Sequence, residues 1–239
     1  MKRICLWSSP RNISTAMMYS FAQRPDTTAV DEPLYAHYLR TFNTPHPGRD
    51  EILSAQENNG EKVIAEIIMG KYETPIVFFK QMTHHLLHVN TDFLQHTENI
   101  IFIRNPAQII ASYSQVVPNV SLHDTGIEYQ QNLFNHHTKN NRPCIVLDSG
   151  ELLKNPEQML KKLCSQLDIE FYNEMLHWPA GPKHYDGVWA KYWYGNVHKT
   201  TGFQPQQTSN RRLPPHLEPL YLECKKYYDN LFQYSLKAE

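Results

Sequence analysis

Short apolar runs alternate with amphipathic stretches along most of the chain. Four of these runs are five to seven residues long and rich in Ile, Val, Leu and Phe, and a fifth run is shorter. Runs of this kind are typical of strands that are buried on both faces. The predicted strands are 3–7, 28–30, 74–80, 99–104 and 143–148.

A helical pattern follows each of the four long runs. Pro25 must end the first helix, and Pro106 suits the first turn of the third. The alternation of strands and helices predicts an α/β fold in which a central, mainly parallel sheet is flanked by helices. The predicted helices are 13–23, 84–95, 107–115 and 156–167, and a last one covers 216–234.

One aromatic and basic segment, 177–212, interrupts this alternation. From Lys183 to Arg212 it has five Lys or Arg residues, Arg211 among them, against a single Asp, a local net charge of +4. We expect a lid or cap whose aromatic groups and cations suit a purine face and phosphate oxygens. The alternative is an amphipathic helix whose Trp189 and Trp193 are simply core. Because no repeat or linker is visible, we predict a single domain over 1–239.

Charge and cysteine usage narrow the classes of partner. The chain has 23 Lys and Arg against 24 Asp and Glu, whereas binding to nucleic-acid phosphates normally requires a basic excess. The 4 cysteines are scattered, and no apolar run approaches the length of a membrane span. We therefore expect a cytoplasmic protein that binds neither nucleic acid nor membrane. The pattern gives no indication of the oligomeric state.

The turn after the first predicted strand collects hydroxyl groups, a cation and helix-start amides. It contains Ser9, Arg11, Ser14 and Thr15, and a helix follows at once. Free N–H groups and the positive end of the helix dipole attract an anion at such a turn. The alternative is a hydroxyl N-cap beside an exposed arginine. A Walker A loop is excluded because the 9 glycines begin only at Gly48.

The segment LWSSPRNISTAMM resembles the 5′-phosphosulfate loop of the sulfotransferases, a P-loop-like α/β family that uses 3′-phosphoadenosine 5′-phosphosulfate. In that family the loop reads roughly Pro-Lys-Ser-Gly-Thr-Thr. Pro10 and Thr15 match this pattern, whereas Arg11 replaces the Lys. The resemblance implies a three-layer P-loop-like fold and a loop that binds this donor. The implied loop residues are Ser9, Pro10, Arg11, Asn12, Ile13, Ser14 and Thr15.

Two further segments extend the resemblance over roughly residues 3–170. IFIRNPAQIIASYSQ is similar to the family's 3′-phosphate site, with Arg104 at a strand end and Ser112 eight residues later. That spacing is two helical turns, so both side chains can face one ligand; the alternative is an interior Arg104 paired with a carboxylate. CIVLDSGELLKNPEQMLKKLCSQLDIEF resembles the strand, turn and helix that close the family's core. The family's late basic loop would correspond to Lys199, Thr200, Thr201 and Gly202.

The implied reaction moves a sulfuryl group in line to a small-molecule acceptor, with no metal required. Arg11 is the predicted cation for the leaving oxygen, and three residues compete for the role of base. Glu32 resembles the Glu of the Glu-Pro pair in several carbohydrate sulfotransferases. His84 resembles the His of the cytosolic sulfotransferases, and His37 lies within reach of Glu32. Lys80 is expected to assist the sulfonate oxygens or to pair with Glu32.

Two other functions stay open at this point. A phosphotransferase that depends on a magnesium nucleotide would need an acidic residue near the loop, and Asp31 is the nearby one. A non-catalytic nucleotide-binding module would keep the site without turnover. A zinc site at His84, His85 and His88 lacks a further ligand of suitable spacing, so we do not predict one.

Overall fold

A computed structural model describes residues 1–42, 46–117, 119–204 and 212–238. Its five strands form one parallel sheet in the order β2-β3-β1-β4-β5, flanked by helices. The predicted α/β fold is therefore confirmed, with a strand at each of the five predicted places. The strands are β1 Lys2–Ser8, β2 Thr27–Asp31, β3 Ile76–Met82, β4 Glu98–Ile103 and β5 Ile145–Asp148.

Proline and asparagine mark several helix starts. Pro106 begins α5, where the side chain of Asn105 accepts a hydrogen bond from the Ala107 amide. Asn155 and Pro156 have the same roles at α9. The helices are α1 Ser14–Phe21, α2 Tyr35–Phe42, α3 Arg49–Ala55, α4 Gly60–Lys62, α5 Pro106–Tyr113, α6 Leu122–Thr125, α7 Ile127–Lys139, α8 Ser149–Lys154, α9 Pro156–Gln166, α10 Ala190–Trp193 and α11 Glu218–Phe232, with a π-helix at Val63–Ile68.

The helix predicted over 84–95 is wrong. Two short 3₁₀ turns, Thr83–His85 and Asp92–His96, occupy its ends. Between them His88 has a left-handed backbone with a φ of 56°, which a continuous right-handed helix does not tolerate. The side chain of Asn90 also accepts the Asp92 amide at 2.9 Å, a local bond that competes with helix formation.

The described structure divides into two compact units. The first unit comprises Met1–Leu6, Ser14–Asn99 and Tyr172–Phe203. In it β2 pairs with β3 in parallel register, so that Asp31 is the partner of Lys80. An apolar cluster joins α2 and α3 to the α10 region, which makes Trp189 a core residue. The buried members of this cluster are Tyr35, Ala36, Leu39, Ile52, Trp189, Ala190 and Tyr194.

The second unit comprises Trp7–Ile13, Ile100–Phe171 and Gln204–Glu239. In it β4 pairs with β5 in parallel register, Ile100 with Ile145 and Ile103 with Asp148. The chain after α11 continues this pairing, because Ser235 forms a parallel bridge to Val146. The single domain over 1–239 stays a prediction. Within the described ranges, no helix has the length and apolar character needed to span a bilayer.

Candidate active site

The turn after β1 has a buried and constrained backbone. Ser8 and Ser9 are fully buried, and the Ser9 hydroxyl has no hydrogen-bond partner among the described residues. Arg11 has a φ of 59°, in the left-handed region that few residues other than glycine adopt. Unusual backbone conformations and unsatisfied buried polar groups are both concentrated at ligand sites. These features fit the anion-binding loop that the sequence predicts.

The structure brings Arg11, Ser112 and Arg104 together in the second unit. The Arg11 Nε donates to the Ser112 hydroxyl at 3.0 Å. The Arg104 guanidinium donates to the Arg11 carbonyl, and its Nε donates to Gln108 Oε1 at 3.1 Å. Two guanidinium groups in one cluster create a fixed positive potential. The cluster is therefore suited to phosphate or sulfate oxygens.

Two amide side chains organise the same region. The Asn12 side chain donates to the Phe102 carbonyl at 3.0 Å and accepts the Ile13 amide at 2.9 Å. Gln130 is fully buried, and its amide donates to the carbonyls of Trp7 at 3.1 Å and Phe102 at 2.8 Å. Sequence reasoning missed Gln130. Its signal was a polar residue at helical spacing from apolar Ile127 and Leu133, where a core residue would be expected.

The remaining predicted loop residues have simple surroundings. Pro10 and Ile13 are partly buried. Gly126 packs next to Pro10, since a Cβ added to Gly126 would be in van der Waals contact with the Pro10 Cδ at 3.6 Å. Ser14 begins α1 and is buried, whereas Thr15 is partly exposed. Their contact with a donor stays a prediction.

A buried ion cluster lies in the first unit, formed by Asp31, Glu32, Lys80 and Tyr194. The Lys80 ammonium donates to Asp31 Oδ1 at 3.0 Å, to Glu32 Oε1 at 2.5 Å and to the Tyr194 hydroxyl at 2.5 Å. An ammonium has three N–H donors, so Lys80 is saturated. Pairing of β2 with β3 places Asp31 and Lys80 side by side. The predicted pairing of Lys80 with Glu32 is present in the structure.

Glu32 has the features of a general base. Burial raises the pKa of its carboxyl to about 7. The Lys80 ammonium lowers this pKa, and the nearby Asp31 charge partly offsets the effect of Lys80. Its Oε2 makes no hydrogen bond to the described residues, and His85 Nδ1 lies 3.8 Å from it. Its φ of 36° is held by backbone bonds to Lys80 at 2.8 Å and Tyr35 at 3.0 Å. A carboxylate with one free oxygen can accept a proton near neutral pH.

Lys80 stays charged. Burial alone would lower its pKa, but the Asp31 and Glu32 carboxylates outweigh that effect, and the net pKa is raised. The ammonium also lies 4.8 Å from the centre of the Tyr194 ring. A lysine in this state acts as a fixed cation, not as a nucleophile.

The structure places His85, and not His84, beside Glu32. The His85 ring stacks on Tyr35 at 4.8 Å and on Tyr38 at 4.7 Å, and burial lowers its pKa well below the usual value. The His84 ring lies 4.6 Å from the His85 ring. His37 binds the Leu87 carbonyl through Nε2 at 2.9 Å. Among the three candidates for the base, Glu32, His84 and His37, the geometry therefore favours Glu32, whose Oε2 has no hydrogen bond to the described residues.

The late basic loop also lies in the first unit. The Thr200 hydroxyl accepts from Trp178 Nε1 at 3.1 Å, and the Thr201 carbonyl accepts from the Trp178 amide at 3.1 Å. Gly202 pairs with His177 in an antiparallel bridge, and Lys199 is exposed. A role for 199–202 in donor binding stays a prediction. Arg211 lies outside the described residues, as do the other positions of 205–211 in the expected lid.

The described part of the chain has no cluster of three or more His, Cys, Asp or Glu side chains that could hold a metal ion.

Comparison with known proteins agrees with the α/β fold. The family model of the sulfotransferase domain matches residues 1–214. The sulfotransferase domain of the Synechococcus PCC 7002 olefin synthase has a TM-score of 0.60 at 16% identity, and covers 99% of this chain and 97% of its own. The sulfotransferase domain of the curacin biosynthetic pathway has a TM-score of 0.55 at 14% identity, with 98% of each chain covered.

A curated relative adds a different name. The chain is 37% identical over 232 residues to the branched-chain-amino-acid aminotransferase-like protein 2 of Arabidopsis thaliana. The match covers 97% of this chain but only 41% of that relative's length.

The chain belongs to the sulfotransferase family. Its fold is of the α/β type, and sulfotransfer is the general activity of that family.

Proposed function

We propose that this chain transfers a sulfuryl group from 3′-phosphoadenosine 5′-phosphosulfate to a small-molecule acceptor. The observation that carries the proposal is the Arg11–Ser112–Arg104 cluster, which offers two permanent cations and a hydroxyl to phosphate oxygens. The unpartnered Ser9 hydroxyl adds a donor that a bound anion would satisfy.

The proposed reaction assigns a role to each of the named groups. Glu32 takes the proton of an acceptor hydroxyl through its free Oε2. The acceptor oxygen then forms the new bond to sulfur, while the bond from sulfur to the bridging 5′-phosphate oxygen breaks. Arg11 stabilises the negative charge that develops on that leaving oxygen. Lys80 keeps the buried carboxylates compensated, so that Glu32 can exist as an anion at neutral pH.

Lys199, Thr200, Thr201 and Gly202 are further proposed donor contacts, together with Ser14 and Thr15. The family resemblance supports these contacts, and the exposure of Lys199 also supports its own role. His84 and His37 stay alternative candidates for the base, and the His84 ring lies 4.6 Å from the His85 ring.

The phosphotransferase alternative is disfavoured by the state of Asp31. This carboxylate already accepts from Lys80, from the Tyr194 hydroxyl at 2.8 Å and from the Gly187 amide at 3.0 Å. Magnesium is bound through one or two carboxylates in near-octahedral geometry, and both oxygens of Asp31 already accept hydrogen bonds.

The aminotransferase-like name of the relative is not carried over to this segment, because the match covers only 41% of that relative's length.

The test is a thermal-shift series with 3′-phosphoadenosine 5′-phosphate, adenosine 5′-phosphate, ATP and GTP, each with and without Mg²⁺. We expect the first ligand to raise the melting temperature most, without any need for Mg²⁺, because binding to the native state stabilises it. Stabilisation by ATP or GTP that requires Mg²⁺ and ignores the 3′-phosphate would favour the phosphotransferase instead. Strong stabilisation without any sulfuryl transfer would favour the non-catalytic module.

A further inference from the structure

Tyr194 occupies a central position in the buried ion cluster, although it lies far from the other members in sequence. Its hydroxyl accepts from Lys80 at 2.5 Å and from Trp189 Nε1 at 3.1 Å. It donates to Asp31, with distances of 3.0 and 2.8 Å to the two oxygens. A phenol has one donor and two acceptor positions, so all of its hydrogen-bonding capacity is used.

The same segment gives Asp31 a second donor. The Gly187 amide donates to Asp31 Oδ2 at 3.0 Å, on the opposite oxygen from Lys80. Asp31 therefore receives two neutral hydrogen bonds from 187–194 and one charged bond from β3. Hydrogen bonds to a carboxylate favour its ionised form.

These contacts determine how the cation is divided between two carboxylates. Lys80 has three N–H groups, and Tyr194 takes one of them, leaving one each for Asp31 and Glu32. The neighbouring Asp31 charge raises the pKa of Glu32. The titratable groups that face Glu32 are Asp31 on β2, Lys80 on β3, Tyr194, and His85 in the 3₁₀ turn after β3.

We infer that Tyr194 is a positioning residue that sets the proton affinity of Glu32 through Asp31 and Lys80. The inference rests on the proposed role of Glu32 as the base. It means that the segment 187–194 must be seated on Asp31 before Glu32 has the basicity that the reaction needs. A segment that appears in sequence as an aromatic wall is thereby part of the acid–base apparatus.

Removal of the hydroxyl has a predictable direction. In Tyr194→Phe the freed N–H of Lys80 turns to the carboxylates, and Asp31 loses a donor. Both changes favour an ionised Glu32, and so does water that enters the space left by the hydroxyl. We therefore expect the pKa of Glu32 to fall by about one unit.

The measurement is a ¹³C NMR titration of protein labelled at glutamate carboxyl carbons, with the Glu32 signal assigned by its loss in Glu32→Gln. The acid limb of the kcat/KM profile should move to lower pH by the same amount. Tyr228→Phe is the matched control, because it also removes a tyrosine-to-aspartate bond, from Tyr228 to Asp148 at 3.1 Å. It should leave the Glu32 titration unchanged.

An unshifted or raised Glu32 midpoint in folded Tyr194→Phe would overturn the inference. If that variant does not give a cooperative melt, Asp31→Asn tests the same linkage by removing the group through which Tyr194 acts. It should also lower the pKa of Glu32, and an unshifted midpoint there overturns the inference as well.

Failure of the proposed function would look different. Full turnover in Glu32→Gln would remove Glu32 as the base, while the NMR shift in Tyr194→Phe would still establish the linkage.

Discussion

The buried ion cluster of the first unit and the arginine cluster of the second unit handle charge in opposite ways. Lys80, Asp31 and Glu32 are desolvated and satisfy one another, and burial raises the pKa of Glu32 to about 7. Arg11 and Arg104 carry charges that do not titrate in the physiological range. Their guanidinium groups donate to neutral acceptors: a hydroxyl, an amide oxygen and a backbone carbonyl.

The two clusters are therefore suited to different tasks, one to proton exchange and the other to anion binding. A cluster with a tunable carboxylate responds to pH and can exchange a proton during a reaction. A pair of permanent cations provides binding that changes with salt more than with pH. Both regions share a left-handed backbone at a non-glycine residue, at Glu32 and at Arg11. In each case the surrounding bonds maintain a conformation that costs on the order of 1–3 kcal/mol.

The largest expected effect is on turnover in Glu32→Gln. Loss of the base should lower kcat by about 10²- to 10⁴-fold, while the affinity for 3′-phosphoadenosine 5′-phosphate stays the same. In the wild type, kcat/KM should rise with pH and reach half of its plateau near pH 7, because the ionised form is the active one. Steady-state kinetics over a pH series and calorimetry with this nucleotide measure the two effects.

Glu57→Gln is the control for that experiment. Its carboxylate also pairs with a lysine, Lys62 at 3.1 Å, but at the surface of the first unit. It should leave turnover and the pH profile unchanged. A loss of nucleotide affinity in Glu32→Gln equal to the loss of turnover would contradict the separation of base from binding groups.

Lys80→Met should produce the next largest effect, on stability. It leaves Asp31 and Glu32 buried without their cation, and breaking a buried pair in this way costs about 3–5 kcal/mol in the free energy of unfolding. The pKa of Glu32 should rise as well, since the cation that lowers it is gone. Urea denaturation measures the first change.

Lys161→Met gives the matched surface comparison. Lys161 pairs with Glu157 at 2.6 Å, and both side chains are about half exposed, 54% and 51%. Removing this pair should cost less than about 1 kcal/mol. Equal costs for the two variants would show that the cluster of the first unit is not a desolvated unit.

Arg104→Ala should have the smallest of the three effects, confined to binding. We expect affinity for 3′-phosphoadenosine 5′-phosphate to fall by about 10- to 100-fold, the value of a charge-assisted hydrogen bond, and affinity for adenosine 5′-phosphate to fall much less. Calorimetry with both nucleotides measures the difference. Arg142→Ala, at an exposed arginine of the same unit, is the control. Equal losses for the two nucleotides would remove Arg104 from recognition of the 3′-phosphate.

Local patterns predicted the regular elements well and the turns poorly. Strand positions followed from apolar runs. Pro106 begins α5, where the missing N–H of proline costs no helical hydrogen bond. The helix over 84–95 failed because left-handed His88 and the side chain of Asn90 interrupt it. The 3₁₀ turn Thr83–His85 stands in its place and brings His85 Nδ1 to 3.8 Å from Glu32 Oε2.

The predicted members of the arginine cluster were accessible to sequence reasoning for a simple reason. Arg104 directly follows β4 and Ser112 lies eight residues later in α5, so their spacing alone allows them to face the same ligand. The buried amide of Gln130 was harder to find. It stands in a helical pattern like any core position, and only its two carbonyl partners, Trp7 and Phe102, show what it stabilises.

The sequence by itself determined the α/β architecture, because periodicity acts over a few residues. The resemblance to the sulfotransferases singled out the loop after β1 and the charged groups of Glu32, Lys80, Arg11 and Arg104. Only the tertiary structure decided which of these groups are in contact. Asp31 meets Lys80 through the register of β2 on β3, and Tyr194 reaches them across 114 residues of chain. Contacts of that separation depend on how the chain folds back on itself, and the pKa of a carboxyl depends on what surrounds it once it is buried.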